Sequence, residues 1–374
     1  MKILNRLCVI LFLLILAAPA LQSAFRLFPA ASLGGVELRA EKPVCNMTGW
    51  FRGEFQRKYE RWLNERIGLR SHFVRTYNQV YFWLFDRIPS NRGTRVVVGD
   101  KFWLYEYPYI HTYNHNGTTP EGKLRKIVSD LKKLQGVLEA RGKVLLLIIA
   151  PSKVEIYPEY VPHGVIEPER HKLRTEYDRM LPLFDEYGIN YLDGHKMFLD
   201  LKASQPNPLF STGGTHWNYY GAGMVVEKAL ENIGRGLGRK TVNINCKSVT
   251  IDRKPFGTDN DLGDLLNIWF SRSIIGPQVH PVFERKDGEY SPSLLFVGDS
   301  FVFTLTSIIE AEELSRRCDV FYYFKRRVGE GNEGSGGKID ASAVNWQDEV
   351  LARDAVILEI NEHWLPDVGF GFVK

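Results

Sequence analysis

A serine hydroxyl attacks a carbonyl near neutral pH only when a base takes its proton, so the pairing to look for in this chain is a serine with a histidine. Ser300 stands in Val297-Gly298-Asp299-Ser300-Phe301, just after an apolar run and at the head of an apolar stretch with helical spacing. A residue in such a strand-to-helix turn faces the crevice at the carboxyl end of a parallel sheet, where helix amides can hold a developing oxyanion. A serine is also a good helix cap, so the position admits a purely structural role. The best base is His216, in Gly213-Gly214-Thr215-His216-Trp217-Asn218, a Gly-rich turn ahead of a helical pattern. His363, after the last apolar run, is a weaker competitor, and His195 reads as a surface or packing residue. Asp299, beside the serine, is suited to holding the turn by accepting from backbone amides.

The elements that must position these residues alternate. Leu124 to Leu138 shows an apolar helical face, and Val144 to Ala150 is a continuous apolar run of the kind buried on both faces of a parallel sheet. Further helices are expected over 167–180, 218–233 and 301–314, with strands at 189–192, 294–297, 319–324 and 355–360. The order predicts an α/β fold, a doubly wound parallel sheet flanked by helices. Before it, Val96 to Tyr105 reads as a hairpin turning at Gly99-Asp100, and helical patterns from Phe55 to Arg66 and Phe73 to Leu84 form an N-terminal helical extension. Gly329 to Gly337 reads as a mobile surface loop.

With 374 residues, 44% hydrophobic and 25% charged, the chain can bury a large core. A net charge of +4 from 48 basic and 44 acidic residues is too balanced for a nucleic-acid surface. Lys2 and Arg6 precede an apolar run from Leu7 to Leu21, followed by the small-residue pattern Ala18-Pro19-Ala20, which predicts an export signal or an uncleaved membrane anchor over residues 1–24. Residues 25–90 then form a linker and helical region, and 91–374 the main domain. Outside the signal, Cys45, Cys246 and Cys318 permit at most one disulfide, and their spacing suits no metal, so no structural metal is expected; no cofactor is expected either.

Several segments together resemble the SGNH-type polysaccharide O-acetyltransferases of the alginate AlgX/AlgJ kind: Gly298-Asp299-Ser300-Phe301, Thr215-His216-Trp217-Asn218, Val97-Val98-Gly99-Asp100-Lys101-Phe102-Trp103-Leu104 and Pro151-Ser152-Lys153 with Ile156-Tyr157-Pro158-Glu159-Tyr160. The resemblance implies an SGNH-hydrolase-like fold outside the cytoplasm, periplasmic or held at the inner membrane. It implies transfer of acetyl groups, supplied by a donor or a membrane-bound O-acyltransferase partner, to hydroxyls of an extracellular or cell-envelope polysaccharide. An acetyl esterase would use the same machinery with water as acceptor.

In that family the acid that orients the histidine stands two residues before it, and here that position is Gly214. Three readings stay open: a Ser-His dyad oriented by a backbone carbonyl, an acid recruited from elsewhere with Asp193 or Glu362 as candidates, or a non-catalytic glycan-binding subunit of an export complex. Trp217, Tyr219 and Tyr220 flank the histidine and are candidates for contact with sugar rings.

Overall fold

The computed structural model describes residues 2–29, 32–35, 40–88, 96–328 and 337–373. Residues 89–95 and 329–336, where a helix end and a glycine-rich loop are expected, lie outside the described residues. The chain divides into two compact units, one from Met1–Arg95 and Gly263–Ser273, the other from Val96–Leu262 and Ile274–Lys374.

The second unit contains ten strands among its described residues: β1 (Val96–Val98), β2 (Leu104–Glu106), β3 (Val144–Ala150), β4 (Tyr191–Asp193), β5 (Asn243–Asp252), β6 (Gln278–Lys286), β7 (Ser293–Gly298), β8 (Arg317–Tyr322), β9 (Arg326–Val328) and β10 (Ala355–Asn361). Six form one sheet in the order β4-β3-β10-β7-β8-β9, parallel except for the antiparallel edge strand β9. Every residue of β3, β7 and β10 is buried, as in strands covered on both faces; β3 is apolar throughout, while β10 carries Glu359 and Asn361 into the interior. Alternate residues serve opposite cores. Leu146 and Ile148 join the helices Tyr219–Leu237 and Val302–Ala311, while Leu145 and Leu147 join Glu121–Glu139 and Glu176–Tyr187. β10 is last in sequence and central in space. The chain therefore winds outward from it in both directions, and the crevice at this reversal lies where β3, β7 and β10 end.

Three local differences from expectation have identifiable causes. The helix expected over 167–180 begins at Glu176, because Thr175 and Asp178 form a capping box there, and it continues through Pro182 to Tyr187. β1 and β2 pair as a hairpin, but five residues join them, including a 3-10 turn over Asp100–Phe102. The antiparallel pair β5 and β6 was not expected, because most of its residues are partly or fully exposed and carry no apolar run.

In the first unit, helices span Lys2–Phe25, Glu54–Arg66 and Arg70–Phe85. Ile3–Phe25 is long and apolar enough to cross a membrane, a property an export signal shares. Among the described residues no cysteine forms a disulfide.

Candidate active site

Gly298 closes β7 because a side chain could not fit there: a Cβ would lie 2.5 Å from Val302 Cγ1 and 2.7 Å from Glu359 Oε2. The turn that follows is held by Asp299, whose two carboxylate oxygens accept from Phe301 N and Asn361 N, each at 2.9 Å. Ser300 is thereby presented at the mouth of the crevice. Its hydroxyl does not cap the following helix, which begins with no side-chain cap bond. It pairs with the histidine, Ser300 Oγ to His216 Nε2 at 2.8 Å.

His216 arrives on the Gly-rich turn ahead of helix Tyr219–Leu237, whose cap is Asn218 accepting from Gly221 N. The ring packs on Phe301, with centroids 4.7 Å apart, and is buried. On its far side Nδ1 meets Asp261 Oδ2 at 2.7 Å. The other oxygen of Asp261 accepts from Thr215 N at 2.8 Å and Leu262 N at 2.7 Å, so the carboxylate is fixed in orientation. Ser300, His216 and Asp261 thus form a continuous hydrogen-bonded line of hydroxyl, imidazole and carboxylate.

Neither acid considered from sequence reaches the ring. Asp193 caps helix Gly194–Ser204 through Lys196 N and accepts from the Tyr177 hydroxyl. Glu362 accepts from Ser152 N and Oγ and pairs with His195. That pairing also corrects the reading of His195 as a surface or packing residue. Burial opposes charge on His195, but Glu362 pushes its pKa up to about 9. His363 stands edge-on to Tyr109 beside Thr112; burial drives its pKa down to about 4, leaving it neutral.

Asp261 can take the place of the missing family acid because of the glycines. A Cβ on Gly214 would fall 2.6 Å from Thr258 O and 2.8 Å from Ser211 Oγ, and one on Gly213 would fall 2.8 Å from Asn260 Oδ1. The segment 258–261 occupies the space a side chain at 214 would need, and it brings its own carboxylate. Lys153, buried at 3% exposure, clamps the same turn by donating to Leu104 O, Thr212 O and Gly214 O at 2.8 to 2.9 Å. Burial pushes its pKa down to about 7, and the three carbonyls supply the acceptors that an ammonium needs there.

Trp217 and Tyr220 are not available to a sugar. Trp217 is fully buried between Phe198 and Phe301, and Tyr220 is core, its hydroxyl donating to Gln205. Tyr219 is partly exposed and packs at a tilt of 59° against Phe256, with ring centroids 4.7 Å apart. It remains the one of the three placed to touch a ligand.

Beneath the serine lies a second carboxyl, Glu359 of β10, wholly buried, whose Oε2 accepts from Asp299 N at 3.2 Å. Burial raises both carboxyls, and the neighbouring Asp299 raises Glu359 further, well above the usual range. Glu359 is therefore the protonated member of the pair. A carboxyl raised in the folded state contributes stability that is complete at low pH and declines as pH rises, since the unfolded chain gives up the proton first. Glu359→Gln keeps a donor and an acceptor but has no proton to lose. Its melting temperature relative to wild type should therefore climb as pH rises through and above the ordinary carboxylate range. A difference that stays constant in thermal scans across that range would mean Glu359 holds no proton in the fold.

Among known proteins, the family described as SGNH hydrolase-like domain, acetyltransferase AlgX, matches residues 96–283. That span includes His216 and Asp261, and Ser300 follows its end. Among solved structures, the O-acetyltransferase domain of Pseudomonas putida AlgJ aligns at 16% identity and TM-score 0.46, over 72% of this chain and 92% of that one. Pseudomonas aeruginosa AlgX aligns at 16% identity and TM-score 0.44, over 81% and 70%. Bacillus cereus PatB1 aligns at 11% identity and TM-score 0.43, over 74% and 99%. No curated protein matches the sequence.

Proposed function

We propose, from the premise that the chain belongs to the family of SGNH hydrolase-like acetyltransferase domains typified by AlgX, that it moves acetyl groups to hydroxyls of an extracellular or cell-envelope polysaccharide through an acyl-enzyme on Ser300. The observation that carries the mechanism is the unbroken line from Ser300 Oγ through His216 to Asp261.

In this mechanism Asp261 accepts a hydrogen bond from His216 Nδ1–H, which fixes the tautomer and leaves Nε2 free to accept the Ser300 proton. The Ser300 oxygen adds to the acetyl carbonyl, His216 returns the proton to the departing donor group, and an acetyl ester remains on Ser300. A sugar hydroxyl then gives its proton to Nε2 as its oxygen attacks the ester carbonyl, and the proton passes from His216 back to Ser300. The amides of Phe301, Val302 and Phe303 are engaged with Asp299 Oδ1, Asp299 O and Ser300 O. The Ser300 amide has no protein acceptor among the described residues, so it is the one at this turn suited to the oxyanion. No cofactor is needed. The acetyl group comes from a donor or from a membrane-bound O-acyltransferase working at the membrane from which the N-terminal helix emerges.

The test is a single-turnover incubation with a chromogenic acetyl ester, with and without unacetylated oligosaccharides, followed by mass spectrometry of the peptide containing Ser300. The expected result is an acetylated Ser300 peptide whose acetyl group is lost faster when sugar is present, with acetylated sugar as product. Donor hydrolysis at a rate indifferent to sugar would instead make the chain an acetyl esterase.

A further inference from the structure

Helix Arg70–Phe85 is built inside out. A helix lying on a protein ordinarily buries an apolar stripe and turns its polar side to water. Here the buried residues are Ser71, Asn78 and Gln79 with a single aromatic, Phe82, so the buried side is mostly polar. Asn78 Nδ2 donates to Leu266 O, Gln79 Oε1 accepts from Trp269 N and Phe270 N, and Arg75 donates to Ile268 O and Ser32 O. The outward side is apolar: Phe73, Tyr77, Val80 and Leu84 follow one another at helical spacing, with Trp83 and Phe85 alongside, each 46% to 68% exposed. Trp269 and Phe270, exposed on the loop that these polar side chains grip, add to the apolar surface. A surface of this size facing water would be unusual for a soluble protein and marks an apolar partner.

The same unit says which partner. The turn that starts this helix holds the last turns of the membrane-length helix: Gly68 N donates to Ser23 Oγ at 2.8 Å, and a Cβ on Gly68 would lie 2.5 Å from Pro19 O. The cleavage pattern at residues 18–20 is thus inside a helix and packed against its own domain. Residues 47–88 carry eight basic against four acidic residues, a balance that favours anionic headgroups, and tyrosine and tryptophan mixed with aliphatics suit the boundary between headgroup and acyl chain.

We propose that helix Lys2–Phe25 is kept as a transmembrane anchor and that the aromatic face of helix Arg70–Phe85 lies in the lipid headgroup boundary of the leaflet from which the anchor emerges. The inference is independent of the acyl-transfer reading, since no active-site residue enters it.

The test uses the full chain with Cys8, Cys45 and Cys246 changed to serine, reconstituted in nanodiscs of phosphatidylethanolamine and phosphatidylglycerol. Nitroxide labels are placed by Phe73→Cys, Tyr77→Cys, Val80→Cys or Leu84→Cys, with Lys126→Cys as a water-exposed reference. The expected result is accessibility to oxygen several-fold above that to a water-soluble nickel chelate at all four sites, with the opposite ratio at the reference. Chelate access equal to the reference would place the face in water, and shielding from both reagents would place it against protein; either overturns the proposal. Intact mass of the chain extracted from membranes should include residues 1–20, and a chain beginning after Ala20 would remove the anchor and the proposal with it.

Discussion

Asp261→Asn is expected to lower kcat for acetyl-ester turnover about 10⁴-fold, the loss seen when another serine triad's carboxylate becomes an amide, while KM and melting temperature stay near wild type. The reason is in the two faces of this carboxylate. Oδ1 is occupied by the amides of Thr215 and Leu262, so the only group left for His216 Nδ1 is Oδ2. An asparagine keeps its carbonyl oxygen on the two amides and turns its NH₂ to the imidazole, which forces the proton onto Nε2, where the serine proton must go. Steady-state kinetics with a chromogenic ester reads the effect directly, and a loss below tenfold would remove Asp261 from the mechanism. Asp193→Asn and Glu362→Gln serve as controls and should leave kcat within a few-fold of wild type, because neither carboxylate meets the ring. Restoring the family's acid by Gly214→Asp in the Asp261→Asn background should not rescue, since Thr258 O already occupies the space its Cβ would enter.

Why the serine and histidine were legible in the sequence and the acid was not follows from what shapes each position. β3, β7 and β10 are buried on both faces, so their composition is mostly apolar, and the turn after such a run locates Ser300. His216 is marked by glycines on one side and a helix cap on the other. Asp261 has no such markers. It lies between β5 and β6, which are too exposed to carry a pattern, in a segment that also holds Asp259 and Asp264, and it stands 45 positions from the histidine it serves. The usable signal was Gly213-Gly214 itself. Two adjacent glycines before a functional residue can mean that another backbone approaches closely, and here that backbone delivers the carboxylate. The same logic explains Trp217 and Tyr220: aromatic residues beside a functional loop read equally well as ligand contacts or as core, and only packing against Phe198, Phe301 and Gln205 decides for core.

Ser300→Ala is expected to remove turnover almost entirely, by about 10⁶-fold in kcat if the serine acts as one unit with its base, as in other serine enzymes. The structure allows this loss to be separated from any loss of fold. Had Ser300 been a helix cap, its removal would cost about 1 kcal/mol of stability, but its hydroxyl makes no cap bond and the turn is held instead by Asp299 on Phe301 N and Asn361 N. Ser300→Ala should therefore melt close to wild type, while the acetylated peptide disappears and the background rate approaches that of the donor in buffer. Asp299→Ala should do the reverse in part: it frees the amides of Phe301 and Asn361 and leaves the protonated Glu359 without its partner, so stability and turnover fall together. A Ser300→Ala chain that melts lower yet still turns over donor would make the serine a structural residue. A chain that melts as wild type and is inert places the attacking oxygen on residue 300, because nothing else at that turn was removed.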